Sequence, residues 1–119
     1  MHIEEVTNYC LAKKEVTQSF PFGGDTLVFK VMGKMFLLTG LESSTTSLNV
    51  KCNPEWAIEL RETYEEITPG YHMSKVHWNT VSLEGYLGDS FIYQLIDHSY
   101  NLVVASLPKK DRMSFDKQT

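Results

Sequence analysis

The residues best equipped for chemistry fall in one run, Tyr71 to Val81, which reads YHMSKVHWNTV. It holds two histidines, a lysine, a tryptophan, an asparagine and a tyrosine, and the wider window from Ile67 to Leu83 contains no Asp or Glu. A metal site needs ligands that converge. His72 and His77 are five residues apart, which places them on opposite faces of a strand and misses the i, i+4 pairing of a helix. No acid or cysteine stands beside them to complete a zinc-type set. A thiol nucleophile would need Cys10 or Cys52 to meet a histidine in space and be activated there. The chain has no GxSxG elbow, no glycine-rich phosphate cradle and no HExxH pair. These residues therefore predict no enzyme, no metal and no cofactor.

Polyanion binding suits the same residues better. Lys75 and the rings of His72 and His77 can meet phosphates, Asn79 and Thr80 can position a backbone, and Trp78 or Tyr71 can stack on a base. The competing structural roles are equally concrete: Trp78 as core and Asn79 as a hydrogen bonder at a strand end.

The elements that must position this run are legible from periodicity. Residues 2–13 read as a helix with Ile3, Val6 and Cys10 on one face, followed by VTQSFPF as a strand. Thr26–Met32 and Lys34–Gly40 flank Gly33 as a hairpin, and Leu48–Cys52 forms a further short strand. Asn53-Pro54 is a strong helix start, since Asn caps and Pro at the first position sacrifices no hydrogen bond. Trp56, Leu60 and Tyr64 follow at spacing four, and Pro69-Gly70 ends that helix. Trp78–Leu83 alternates as a strand. Asp89 is the expected cap of a long helix with Ile92, Leu95, Ile96, Leu102 and Val103 inward, closed by Pro108. Strands joined by tight turns imply an antiparallel sheet, so the fold class is α+β: a two-layer sandwich with helices packed on one face. The expected organisation is one domain over residues 1–110 with a flexible tail over 111–119.

Composition sets the frame. The chain has 119 residues, 42% hydrophobic and 22% charged, with net charge −4. That is an ordinary globular balance. No apolar run approaches the ~20 residues that span a bilayer, and the acidic, amphipathic start MHIEEVTNYC is unlike a signal peptide. The expectation is a cytoplasmic protein with no membrane partner and two reduced thiols. Charge is unevenly spread: residues 26–54 carry Lys30, Lys34 and Lys51 against Glu42, whereas 55–66 carry five glutamates against Arg61. If Leu27, Phe29, Val31, Leu48, Val50 and Val81 face the helices, then Val28, Lys30, Asn49, Lys51 and Thr80 face outward. The outer sheet face is then expected to be mildly basic and polar, with acidic helices behind.

Four stretches resemble the MmcQ/YjbR family: FPFGGDTLVFKVMGKMF (20–36), LNVKCNPEWAIELRE (48–62), ITPGYHMSKVHWNTVSLEG (67–85) and LIDHSYNLVVASLPKK (95–110). The PGYHM–KxHWNTV block, Pro69 to Val81, together with the final DHSYxLVV helix, is the most specific combination. The resemblance implies a compact α+β domain similar to CyaY-like and secretion-chaperone-like folds. It also implies DNA as partner, bound by paired hairpins described as a double wing, and it brings no catalytic residues. Joined to the residue reading, the expected contact set is Lys30, Lys34, Lys51, Lys75, His72, His77, Trp78 and Asn79. With so few lysines, about three to five phosphate contacts and salt-sensitive binding follow. The alternative is a protein-interaction or chaperone-like module with no nucleic-acid ligand, as a monomer or weak homodimer.

Overall fold

The structure, a computed structural model, describes residues 1–41, 44–70 and 73–117. The chain opens with α1 (Ile3–Leu11), where the Glu5 carboxylate accepts the His2 N–H at 3.2 Å and holds the first turn. Next come β1 (Val16–Ser19), β2 (Thr26–Val31), β3 (Lys34–Gly40) and β4 (Ser47–Lys51). The hairpin between β2 and β3 turns on Met32 and Gly33, both at positive φ (50° and 82°), the signature of a two-residue turn whose twist matches its strands. Helix α2 (Pro54–Thr63) starts as its sequence dictates: Asn53 Oδ1 accepts the Glu55 and Trp56 N–H groups at 3.0 and 3.3 Å. Two strands, β5 (Ile67–Pro69) and β6 (Trp78–Ser82), precede the long α3 (Asp89–Ala105). The position before α3 is Gly88 rather than Asp89, which lies inside the first turn, where its charge still suits the helix dipole. After residue 110, where a tail is expected, the chain is helical: α4 (Lys109–Lys117) turns Phe115 back onto Tyr100, ring centroids 6.5 Å apart.

The sheet is antiparallel throughout, in the order β1-β2-β3-β4-β6-β5. Helices cover one face, as the α+β sandwich requires. The main core lies between the layers: Leu27, Phe29, Val31, Phe36, Leu37, Leu48, Val50 and Val81 from the sheet meet Val6, Leu60, Ile92, Leu95, Ile96 and Val103 from the helices.

The outer face differs from its expectation. Alternation does turn Val28 outward, but Val28 is fully buried there, clustered with Leu38 and Trp78 and flanked by Met35 and Met73. An outward valine beside an outward leucine needs cover, and Met73 of the β5–β6 connection supplies part of it. The middle of the outer face is therefore a small second core, and the polar surface survives only around it.

The ladder is interrupted on both sides of β3. The β2–β3 register shifts between Phe29 and Lys30, and the β3–β4 pairing stops at Leu37↔Val50. Beyond that pair the Ser99 hydroxyl of α3 stands between the strands: it accepts the Lys51 N–H at 2.8 Å and donates to the Phe36 carbonyl at 2.5 Å. A helix side chain thus satisfies two buried backbone groups that the ladder leaves open.

Candidate nucleic-acid interface

Register decides where the cations lie. Lys30 pairs with Met35, and Lys51 pairs with Trp78, so both lysines stand on the outward face near the β2–β3 turn. Lys34 opens β3 at that turn and is exposed, but it pairs with inward-facing Val31 and so shares the end of the sheet with the other two, not their face. Lys75 and His77, also exposed, lie in the connection that delivers β6 opposite Lys51. The Cys52 N–H donates to the His77 carbonyl at 2.8 Å and fixes that connection beside the end of β4. Four lysines and one imidazole are thereby gathered at one end of the sheet, the turn end. Among the described residues none of the four forms an ion pair; the pair present is Lys13–Asp97.

Two members of the expected contact set, Asn79 and Trp78, are withdrawn into the fold. Asn79 points inward and is 1% exposed. Its Oδ1 accepts from Arg61 Nε at 2.7 Å, and its Nδ2 donates to the Ala57 carbonyl at 3.4 Å. Even parity with Val81 forces this: if one faces the helices, so does the other. Trp78 faces outward but is 8% exposed, closed into the second core, so it offers no face on which a base could stack. His72, with Tyr71, lies outside the described residues.

The residue that organises the site belongs to no motif. Arg61, on α2, donates to Asn79 Oδ1, to the Lys75 carbonyl through Nη2, and more distantly to the Trp78 carbonyl at 3.5 Å. One guanidinium thus ties the connection bearing Lys75 and His77 to the helix layer, using a donor fork that a lysine could not reproduce. The only available signal was its charge, a lone cation among five glutamates.

The remaining chemistry is muted. Burial pushes the Cys52 thiol up to about 11 and the Cys10 thiol up to about 12, so both stay protonated at neutral pH. His98 lines the same narrow internal gap as Cys52 and Asn79, but its Nε2 accepts the Asn53 N–H at 3.1 Å and burial lowers its pKa. Its lone pair is engaged by backbone, and the neighbouring thiol is not activated. Among the described residues no three His, Cys, Asp or Glu side chains are grouped to hold a metal ion. No helix among them is long and apolar enough to cross a membrane.

Comparison with known proteins adds the lineage. The YjbR family model matches residues 11–102. The chain belongs to the YjbR family. It is 36% identical over 112 residues to the uncharacterized protein YjbR of Escherichia coli K12, covering 94% of this chain and 95% of that one. A second relative, the uncharacterized protein YbdF of Escherichia coli O157:H7, is 37% identical over 93 residues, 78% of this chain and 76% of the relative. Among solved structures, the Deinococcus radiodurans protein DR2400, of domain family DUF419, superposes with TM-score 0.88 at 33% identity, covering 96% of this chain and 87% of its own. A Pseudomonas syringae protein superposes with TM-score 0.74 at 29% identity, over 86% of this chain and 98% of its own. The YjbR assignment agrees with the sheet and helix order described above.

Proposed function

We propose that this YjbR-family chain is a small DNA-binding module that meets the phosphate backbone with the turn end of its sheet. The observation that carries the reading is the gathering of Lys30, Lys34, Lys51, Lys75 and His77 at the turn end of the sheet, Lys30 and Lys51 on the outward face and Lys34 on the other parity, with no carboxylate paired to any of the four lysines among the described residues. Unpaired cations on a fixed scaffold are what backbone recognition requires, and backbone contacts position a protein without reading sequence. With Trp78 and Asn79 withdrawn into the fold, the site has no base-stacking or base-reading side chain among its described members, so the binding is expected to be indifferent to sequence.

The test is fluorescence anisotropy with a labelled duplex across a salt series. Each neutralised phosphate contributes about −0.9 to the slope of log affinity against log salt, so three to five contacts give a slope of roughly −3 to −5. Lys34 and Lys75 are both exposed, so Lys34→Glu with Lys75→Glu leaves the fold intact. That double variant should lose measurable binding at low salt. Affinity equal to the native protein's would remove this surface as the site.

A further inference from the structure

Charge in this molecule is uneven from end to end. The turn end also receives Lys13 and Lys14, which precede β1, and α4 with Lys109, Lys110, Arg112 and Lys117, held there where Lys14 Nζ sits 4.5 Å from the Phe115 ring; Glu15, Glu55, Asp111 and Asp116 share that end and leave it the more basic one by a margin only. The opposite end collects Glu4 and Glu5 at the start of α1, Asp25 before β2, Glu65 and Glu66 before β5, Glu84 after β6 and Asp89 at the start of α3. No lysine or arginine stands on those element ends.

The acidic end displays one aromatic side chain in full. Tyr86 is 100% exposed. The loop that carries it is nonetheless fixed: the Tyr86 N–H donates to Glu66 Oε2 at 2.7 Å, the Glu84 N–H donates to Ser82 Oγ at 3.1 Å, and Glu84 Oε1 accepts the Thr46 N–H at 2.9 Å. A phenol held out on a pre-ordered loop, bordered by carboxylates, has the form of an interface anchor for a basic partner. At the other end, α4 presents Lys109, Lys110, Met113 and Lys117 on one side of the helix, all exposed, with Met113 at 50%. A methionine among lysines offers sulfur–aromatic and cation–π contacts to a tyrosine ring.

We propose that the α4 face of one copy docks the Tyr86 loop of a second copy, its lysines against Glu65, Glu66 and Glu84 and its Met113 against the phenol ring. The two surfaces lie at opposite ends, so the contact joins different molecules head to tail and propagates rather than closing as a twofold dimer. It uses the α4 lysines and not those assigned to DNA, so the two readings stand or fall separately.

Sedimentation equilibrium at low salt tests it. The average mass should rise above 13.6 kDa with concentration and return to it as salt is added. Tyr86→Ala and Lys110→Glu change exposed side chains only, and each should weaken association by ~10-fold or more. Mixed together, these variants retain one complete contact between them, so the mixture should form a species of twice the monomer mass and no larger. Tyr86→Ala should leave duplex affinity unchanged, and the Lys34/Lys75 charge reversal should leave self-association unchanged. A native chain that stays at 13.6 kDa at ~1 mM and low salt would overturn the proposal. So would a Tyr86→Ala variant that associates as the native chain does, or association lost in the Lys34/Lys75 variant but kept in Lys110→Glu.

Discussion

At Ser99 a single hydroxyl takes the place of a missing ladder bond. It is fully buried, and it serves the Lys51 N–H and the Phe36 carbonyl at once. Substitution by alanine removes little volume but leaves a buried donor and a buried acceptor without their partner. Leaving such groups unsatisfied costs about 1–3 kcal/mol. Ser99→Ala should therefore lower the urea midpoint by that amount of stability with an unchanged slope, and a loss under ~0.5 kcal/mol would mean that water replaces the hydroxyl. The same residue sets the backbone that carries Lys51, so the substitution should also weaken duplex binding without altering charge. Arg61 acts similarly on Lys75 and His77. Neither residue announces itself in sequence, because a serine on a helix and an arginine among glutamates have ordinary surface roles until a distant strand is brought against them.

The start of α2 couples local folding to pH. The Asn53 side chain caps the helix, and the Asn53 N–H donates to His98 Nε2, which lies edge-on to Trp56 with centroids 4.6 Å apart. Accepting that hydrogen bond requires the neutral imidazole, and burial also lowers the His98 pKa below its ordinary 6.5. A histidine whose folded pKa is depressed contributes stability that is complete above the unfolded value and is lost as pH falls through the folded one. Acidification also places a cation at the positive end of the helix dipole. The melting temperature should fall between pH ~7.5 and ~5, and the fall should be smaller in His98→Gln, whose side chain can accept the same N–H when neutral or acidic. An equal fall in both proteins would assign the pH dependence to other groups. Elements of this kind were mostly legible beforehand. The Asn53-Pro54 start, the Gly33 hairpin and the inward parity of Leu27, Phe29, Val31, Leu48 and Val50 each follow from short-range rules, and the register bears them out. Strand β5 was not legible, since three residues ending in Pro69 carry no period. Helix α4 was missed because it has no buried stripe and is anchored through Phe115 on a residue far back in the chain. The cover over Val28 was missed for the same reason: parity says which way a side chain points, and only the fold says what lies there.

For the molecule as a whole, the separation of charge into two ends carries a cost. Lys30, Lys34, Lys51 and Lys75 lie at the turn end without ion pairs among the described residues, and the opposite end holds Glu65, Glu66 and Glu84 around one loop. Like charges gathered at one end repel at low ionic strength, where the screening length is long, and repulsion of this kind destabilises the compact state. The attraction between the two ends acts across most of a molecule 39 Å long, far beyond the ~10 Å screening length at 0.1 M salt, and so offsets little of it. Screening should therefore remove more repulsion than attraction. Raising sodium chloride from ~10 to ~200 mM should increase the melting temperature by on the order of a few °C. The rise should be smaller in Lys34→Glu with Lys75→Glu, which relieves the crowding at the turn end by substitution rather than by screening. Because head-to-tail contacts would themselves add stability at low salt, the measurement belongs at protein concentrations where Tyr86→Ala and the native chain melt together. A melting temperature that falls with salt under those conditions would mean that attractive pairs dominate the surface, and the unpaired lysines on which the DNA reading depends would then have partners.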